Sequence, residues 1–294
     1  MRPAVFLDRD DTLIANRVLP RAAFARPLVP GPQGAAGAAE RGLGSNDEPS
    51  ERGGDRRGEP LVGDLCDPAW VRLLPGVAEG CRALESVGFV LVVVTNQGLV
   101  ARGGGTLGDV ERTNARMLEL LGNSEQVGTT WPPDLPDGLL EGLPDGLRSG
   151  HVMAHELTQR RERGPGPRAE DRSLATPIAG VYACPFHPKG VVEGLNREHQ
   201  WRKPLPGMIL AAAADLGLDL SRSWLVGDMA RDAEAGRAAG INPARIVLVD
   251  PDTTRPEHAI LDETTASGVR IVEDFAAVTR LILGDRTVRA EARA

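Results

Sequence analysis

A chain of 294 residues, 41% hydrophobic but only 3% aromatic, can bury one sizeable α/β core, and that core must be packed mainly with aliphatic side chains. Its net charge of -7 and pI of about 5.4 exclude broad, charge-driven attraction to nucleic acid, so an anionic ligand has to be met by local cations. No apolar run is long enough to span a bilayer, and the opening residues lack the pattern of a secretory leader, which points to the cytoplasm. Cys66, Cys81 and Cys184 are widely spaced and odd in number, so no disulfide framework is expected.

Ala4 to Leu7 reads as a short buried strand that delivers Asp8-Arg9-Asp10-Asp11-Thr12 into a turn. Asp8 then lies at the carboxyl end of a strand, where open α/β sheets place their ligands. A carboxylate there is a competent nucleophile toward phosphorus. Asp10, two residues on, is placed to protonate a leaving oxygen and later to take a proton from water. The plain alternative is a polar turn that caps the next element.

Residues from about 19 to 60 are rich in Gly, Pro and mixed charge, lack periodicity and read as a flexible insertion. This segment leaves the sheet on the Asp8 side, where it is either a lid or, given its few apolar residues, a tether. A helix is expected from Gly76 to Val87, followed by an apolar strand from Val90 to Val94 that ends in Thr95-Asn96-Gln97. Thr95 and Asn96 are candidate hydrogen-bond donors to phosphoryl oxygens, with a helix cap or turn as the alternative.

A helix from Leu107 to Leu121 precedes a second insertion, about 122 to 176, in which Leu-Pro-Asp-Gly-Leu occurs at 135 and again at 143 and His151 to Arg163 reads as a short polar helix. A strand from Ile178 to Ala183 comes next. Pro206 or Gly207 opens a helix to Leu216, leaving Lys203 in the preceding loop as a cation that can reach an anion. The strand Ser223 to Val226 ends in Gly227-Asp228, another carboxylate at the sheet edge. Asp232 is expected to fix that loop or Lys203 rather than bind metal. A helix from Ala230 to Ala239, a strand from Arg245 to Val249 and a last strand and helix within 269 to 283 complete the alternation, which implies right-handed crossovers and a parallel sheet.

These residues supply a nucleophile, an acid/base, phosphate donors, a cation and a site of few carboxylates that suits Mg²⁺. Their order resembles the haloacid dehalogenase-like (HAD-like) phosphatases: an Asp-x-Asp-x-Thr turn, a Thr after the second strand, a Lys, and Gly-Asp-x-x-x-Asp. Closer still, Asp8-Arg9-Asp10, Thr95-Asn96-Gln97, Ala101-Arg102-Gly103, Cys184-Pro185-x-His187-Pro188 and Arg202-Lys203-Pro204-x-Pro206-Gly207-Met208 are similar to the heptose bisphosphate and histidinol phosphatase branch. The resemblance implies a Rossmann-like three-layer sandwich with a mainly parallel sheet and no folded cap domain. It makes Asp8 the nucleophile and a metal ligand, Asp10 the acid/base that also contacts the metal, and Asp228 the residue completing the Mg²⁺ site. Thr95 and Lys203 would hold the phosphoryl group, and Arg202 would help recognise the substrate.

By the same resemblance the substrate is a small phosphorylated sugar, D-glycero-D-manno-heptose 1,7-bisphosphate hydrolysed at the 7-phosphate through an aspartyl phosphate. Histidinol phosphate is the enzymatic alternative, and a phosphoacceptor signalling module the alternative of another class. Three positions depart from the branch. Asp11 stands where Gly is usual, in a turn that an Asp can still enter. Met229 replaces a Lys that is a usual substrate contact. The positions matching the branch's zinc ligands are Cys184, Phe186, His199 and Trp201, of which Phe and Trp cannot ligate. His187 could join Cys184 and His199, but three ligands leave a structural site incomplete, so no zinc is expected. The expected organisation is one domain over 1–284 carrying both insertions, a frayed tail over 285–294, and a monomer with no nucleic-acid or membrane partner.

Overall fold

A computed structural model describes residues 1–16, 64–122, 127–140, 178–250, 268–285 and 288 of the chain. The first insertion, residues 141–176 of the second with its expected helix at His151 to Arg163, and all of the tail beyond Asp285 except Val288 lie outside the described residues.

The apolar run Ala4–Leu7 forms β1, buried on both faces, and its neighbours obey the same composition rule. Val77–Ser86 is α1, Val90–Asn96 is β2 and Leu107–Leu120 is α2. Thr106 opens α2 with a reciprocal box, accepting from Asp109 N–H at 3.1 Å while the Asp109 carboxylate accepts from Thr106 N–H at 2.9 Å. Ile178–Cys184 is β4, Gly207–Leu216 is α4, Trp224–Gly227 is β5 and Ala230–Ala238 is α5. Ile246–Val249 (β6), Arg270–Val272 (β7) and Phe275–Gly284 (α6) close the described chain. Each differs from the expected boundaries by at most two residues.

One stretch departs from the expectation of an insertion beginning at about 122. Thr129–Thr130 forms a two-residue strand, β3, and a one-turn helix, α3, lies beyond it at Asp137–Leu140. β3 pairs in parallel with Val181 and Tyr182 of β4, so this stretch extends the sheet edge.

Among the described residues the sheet has seven strands in the order β3-β4-β2-β1-β5-β6-β7, and every pairing is parallel. Alternation along β1 sends Ala4 and Phe6 to one face and Val5 and Leu7 to the other. The first face packs on Met208, Ile209 and Ala212 of α4 and on Ala233 and Ala235 of α5. The second packs on Val77, Cys81 and Leu84 of α1, Met117 and Leu118 of α2, and Phe275, Val278 and Ile282 of α6. The result is a three-layer α/β sandwich. All three cysteines are buried as free thiols.

Chain order fixes where a site can form. The chain runs from β1 toward β2 on one side and from β5 toward β6 on the other, so a crevice opens at the carboxyl ends of the adjacent strands β1 and β5. Asp8, Thr95-Asn96 and Asp228 are the residues that β1, β2 and β5 deliver there.

Candidate active site

Asp8 is buried where β1 ends, and its backbone N–H donates to Val226 O of β5 at 2.9 Å. Its Oδ1 accepts from Arg9 N–H at 2.7 Å and lies 2.8 Å from Lys203 Nζ. The same ammonium sits 2.6 Å from Asp232 Oδ1 and donates to Val94 O at 3.0 Å. Lys203 is only 2% exposed, so the loop cation read from the sequence is a buried charge between two carboxylates.

The end of β2 holds that lysine in place. Asn96 Oδ1 accepts from Lys203 N–H at 3.0 Å and Asn96 Nδ2 donates to Lys203 O at 3.0 Å. Asn96 was expected to donate to phosphoryl oxygens; in the structure its amide clamps the Lys203 backbone, because the two loops meet where β2 ends. Thr95 Oγ1 accepts from Gln97 Nε2 at 2.9 Å, which leaves the hydroxyl proton available to another acceptor.

Asp10 points elsewhere. Its carboxylate accepts from Arg9 Nε at 3.2 Å and Nη2 at 3.0 Å, from Gln97 Nε2 at 3.0 Å and from Leu65 N–H at 3.3 Å. The turn that permits this passes through Asp11 at φ +56°, the left-handed region in which the short Asp side chain is tolerated, and Asp11 Oδ1 accepts from Asn16 N–H at 3.0 Å.

At β5 the Gly-Asp-x-x-x-Asp run works as one unit. Asp232 Oδ2 accepts from Met229 N–H at 3.0 Å and Asp228 N–H at 3.3 Å, capping α5, while Oδ1 serves Lys203. Gly227 makes room for this fold-back, since a Cβ there would lie 2.5 Å from Asp232 Cβ and Cγ. Asp8, Asp228 and Asp232 each bring a carboxylate oxygen to a common point, all within 4.8 Å of one another. The expected metal trio was Asp8, Asp10 and Asp228. Asp232 brings its carboxylate to Asp8 and Asp228, while Arg9 and Gln97 hold the Asp10 carboxylate to one side.

Arginines border this cluster. Arg202 Nη1 donates to Phe186 O at 3.2 Å, and Arg102 Nη2 pairs with Asp64 at 2.8 Å. Arg231, between Asp228 and Asp232 in sequence, has its Nε buried without a hydrogen-bond partner among the described residues.

Comparison with known proteins fits this geometry. Residues 200–278 match the family model described as HAD-hydrolase-like. The chain is 29% identical over 191 residues to the D-glycero-beta-D-manno-heptose-1,7-bisphosphate 7-phosphatase of Yersinia pestis, covering 65% of this chain and 75% of that one. It is 30% identical over 187 residues to the Escherichia coli K12 enzyme of the same name, covering 63% and 72%. The chain belongs to the HAD-like phosphatases. As such it is a phosphoric monoester hydrolase. A crystal structure of a HAD-like phosphatase from Mesorhizobium loti shares the fold, with a TM-score of 0.54 at 23% identity over 98% of this chain and 87% of that one.

In this HAD-like phosphatase, burial pushes the Asp8 carboxyl up and Lys203 opposes it. Burial also works against the Lys203 charge, but Asp232 and Asp8 outweigh it and hold its pKa above the ordinary range, so the ammonium stays charged. Asp10 is lifted by burial and pulled down by Arg9, ending at about 7. A carboxyl group in that range can both give and take a proton near neutrality. Asp8, Asp228 and Asp232 bring three buried carboxylates together beside the Lys203 ammonium and the Arg231 guanidinium, and a group of hard oxygen donors suits a hard dication.

Around Phe186 and His199 the side chains pack against one another. The Phe186 ring stacks on His199 at 4.2 Å, and the Arg197 guanidinium lies 4.5 Å from the centre of the Phe186 ring. His199 Nδ1 accepts from Trp201 N–H at 3.1 Å and Nε2 lies 2.9 Å from Asp134 Oδ1, which occupies both ring nitrogens. Asp134 also pairs with Arg197 at 2.6 Å. His187 Nδ1 accepts from Lys189 N–H at 3.0 Å, and Cys184 is buried in β4.

Sequence reasoning passed over Arg9, Gln97, Asp64 and Arg231. Arg9 and Gln97 lay inside quoted motifs, and the signal was there: a charged and an amide side chain directly beside candidate chemistry.

Proposed function

We propose that this phosphatase hydrolyses D-glycero-D-manno-heptose 1,7-bisphosphate at the 7-phosphate through a phosphorylated Asp8. The observation that carries the reading is the Asp8–Lys203–Asp232 arrangement, with a second carboxyl group, Asp10, held separately and near neutrality.

An Asp8 oxygen attacks phosphorus while the ester bond to the sugar oxygen breaks, and Asp10 supplies the proton that oxygen needs. Water then attacks the aspartyl phosphate, giving its proton to Asp10 and releasing phosphate. Lys203 contributes its charge to the transferring group, whose oxygen takes the place of one of the ammonium's present acceptors. The Thr95 hydroxyl donates to a phosphoryl oxygen. Asn96 acts by holding Lys203. Asp8 and Asp228 would hold a Mg²⁺ ion, which when bound would supply electrostatic stabilisation of the phosphoryl oxygens. Asp232 is already committed to Lys203 and to the cap of α5, so it orients the site.

A second phosphate on the substrate requires more cations than one, and Arg231 and Arg202 provide them. Burial works against the Arg231 charge, but Asp232, Asp8 and Asp228 hold its pKa above the ordinary value. Arg202 is lowered by burial and then, against Asp64 and Cys184, by Arg231 and Arg102, so the arginines repel one another until an anion lies between them. The names of the Yersinia pestis and Escherichia coli relatives support the heptose bisphosphate as that anion.

Steady-state phosphate release from heptose 1,7-bisphosphate and from histidinol phosphate, each with and without Mg²⁺, tests the reading. The heptose ester is expected to be favoured by at least about tenfold in kcat/KM, to depend on Mg²⁺ and to be abolished by Asp8→Asn. Equal use of both esters would overturn the sugar assignment. Full activity of Asp8→Asn would overturn the mechanism.

A further inference from the structure

We infer that Asn114, Thr129 and Glu111 are positioning residues for Asp10, acting through a one-directional chain of hydrogen bonds that ends on the Arg9 guanidinium. The inference rests on the proposed role of Asp10 as the group that protonates the leaving oxygen.

Arg9 is wholly buried, at 0% exposure, and none of its nitrogens can turn to water. Nε and Nη2 form the fork on Asp10, and Nη2 also donates to Leu65 O at 2.6 Å and Gln97 Oε1 at 2.9 Å. Among the described residues Nη1 donates to Asn114 Oδ1 at 2.8 Å, reached across 105 residues of sequence. The guanidinium is a rigid plane. Fixing its Nη1 corner therefore fixes the tilt of the opposite edge, where Asp10 sits.

The orientation of Asn114 is itself determined. Asn114 Nδ2 donates to Thr129 Oγ1 at 2.9 Å, which turns Oδ1 toward Arg9; a flipped amide would set N–H against N–H at the Arg9 end. Thr129 Oγ1 can accept there because its own proton goes to Glu111 Oε2 at 2.8 Å. Glu111 Oε2 also accepts from Thr129 N–H at 3.2 Å, and Oε1 accepts from Trp131 Nε1 at 3.0 Å. Every member is buried and every donor points one way, so the arrangement has no second state of equal energy. It anchors in β3, the short edge strand, and in one face of α2.

The chain does not touch substrate, so its effect must travel through Asp10, and a leaving-group comparison detects that route. When the ester bond to an alkyl phosphate breaks, the departing alkoxide needs the Asp10 proton; the p-nitrophenolate of p-nitrophenyl phosphate leaves without one. Wild type, Asp10→Asn, Thr129→Val, Thr129→Ser and Asn114→Ala are compared on an alkyl phosphate monoester and on p-nitrophenyl phosphate, with melting curves recorded for each. Valine is nearly isosteric with threonine and keeps the strand. Serine keeps the hydroxyl.

Thr129→Val and Asn114→Ala are expected to lower the ratio of alkyl to p-nitrophenyl kcat by about tenfold or more, a fraction of the 10²–10⁴ that a well-placed acid supplies. Thr129→Ser is expected to restore the ratio. An equal loss on both substrates, or no loss, in a folded Thr129→Val or Asn114→Ala protein overturns the inference; if one variant fails to fold, the other decides. If Asp10→Asn leaves the ratio unchanged, the assignment of Asp10 fails and the positioning role falls with it. If Asp10→Asn lowers the ratio and the two chain variants do not, only the positioning role fails.

Discussion

Lys203 is a charge whose surroundings decide its role. At 2% exposure it lies 2.8 Å from Asp8 and 2.6 Å from Asp232, and burial leaves little solvent to screen the three groups. Lys203→Met would remove the ammonium that lies directly between the Asp8 and Asp232 carboxylates. Breaking a buried pair from one side costs about 3–5 kcal/mol. Denaturant unfolding of Lys203→Met is expected to show a loss of that order, together with loss of turnover. Asp8, Lys203 and Asp228 were legible in the sequence because each adjoins an element that carries it to the same edge. The hold of Asn96 on Lys203 was not legible, because that partner lies 107 residues away. Arg9 was legible as a residue but not as a role, since its partners Gln97 and Asn114 lie 88 and 105 residues on.

Elements impose their own constraints on these side chains. The Asp232 carboxylate caps α5 only because residue 227 has no Cβ, and Gly227→Ala would drive an atom to 2.5 Å from it. Overpacking of this kind costs about 1–3 kcal/mol. Gly227→Ala is expected to show that loss in a thermal melt and a fall in kcat larger than the change in KM, because the displaced Asp232 loosens Lys203. On α2, burial lifts the Glu111 pKa above its ordinary 4.5, with Thr129 and Trp131 donors pulling against the rise. The folded state therefore holds this proton more tightly than the unfolded chain. Its contribution to stability is full below 4.5 and is lost as pH rises through the folded value. Glu111→Gln cannot titrate, so the stability gap between wild type and variant is expected to narrow as pH rises through that window, measured by urea unfolding at successive pH values.

Strands buried on both faces and helices with clear openings were read to within two residues. β3 was not, since two threonines in a stretch without periodicity carry no pattern that distinguishes a strand from a loop. Its pairing with β4 and the Glu111 contact, neither visible locally, define it.

For the whole molecule, the alternation of elements was enough to give the parallel sheet, and the polar residues that end the strands were enough to say which edge of it carries the site. What the order of elements could not give was the charge balance inside that crevice. With Asp8, Asp228 and Asp232 gathered within 4.8 Å, a dication should stabilise the folded chain as well as serve the reaction. Ligand present at about 100 times its Kd adds about 2.7 kcal/mol. Titrating Mg²⁺ into chelator-treated protein is expected to raise Tm, and Asp228→Asn to remove most of that rise.

The interior placement of the sulfur atoms offers a clock for global opening. Cys66 lies beside Gln97 and Gly105, Cys81 on α1 and Cys184 at the end of β4, and burial pushes Cys81 and Cys184 up to about 12 and Cys66 higher still. Neutral, enclosed thiols are poor nucleophiles toward alkylating reagents. A native sample pulsed with iodoacetamide should therefore divide, by intact mass, into untouched molecules and fully tagged ones. Singly tagged molecules carrying the label at Cys66 would instead reveal that the approach to the crevice breathes before the sheet does.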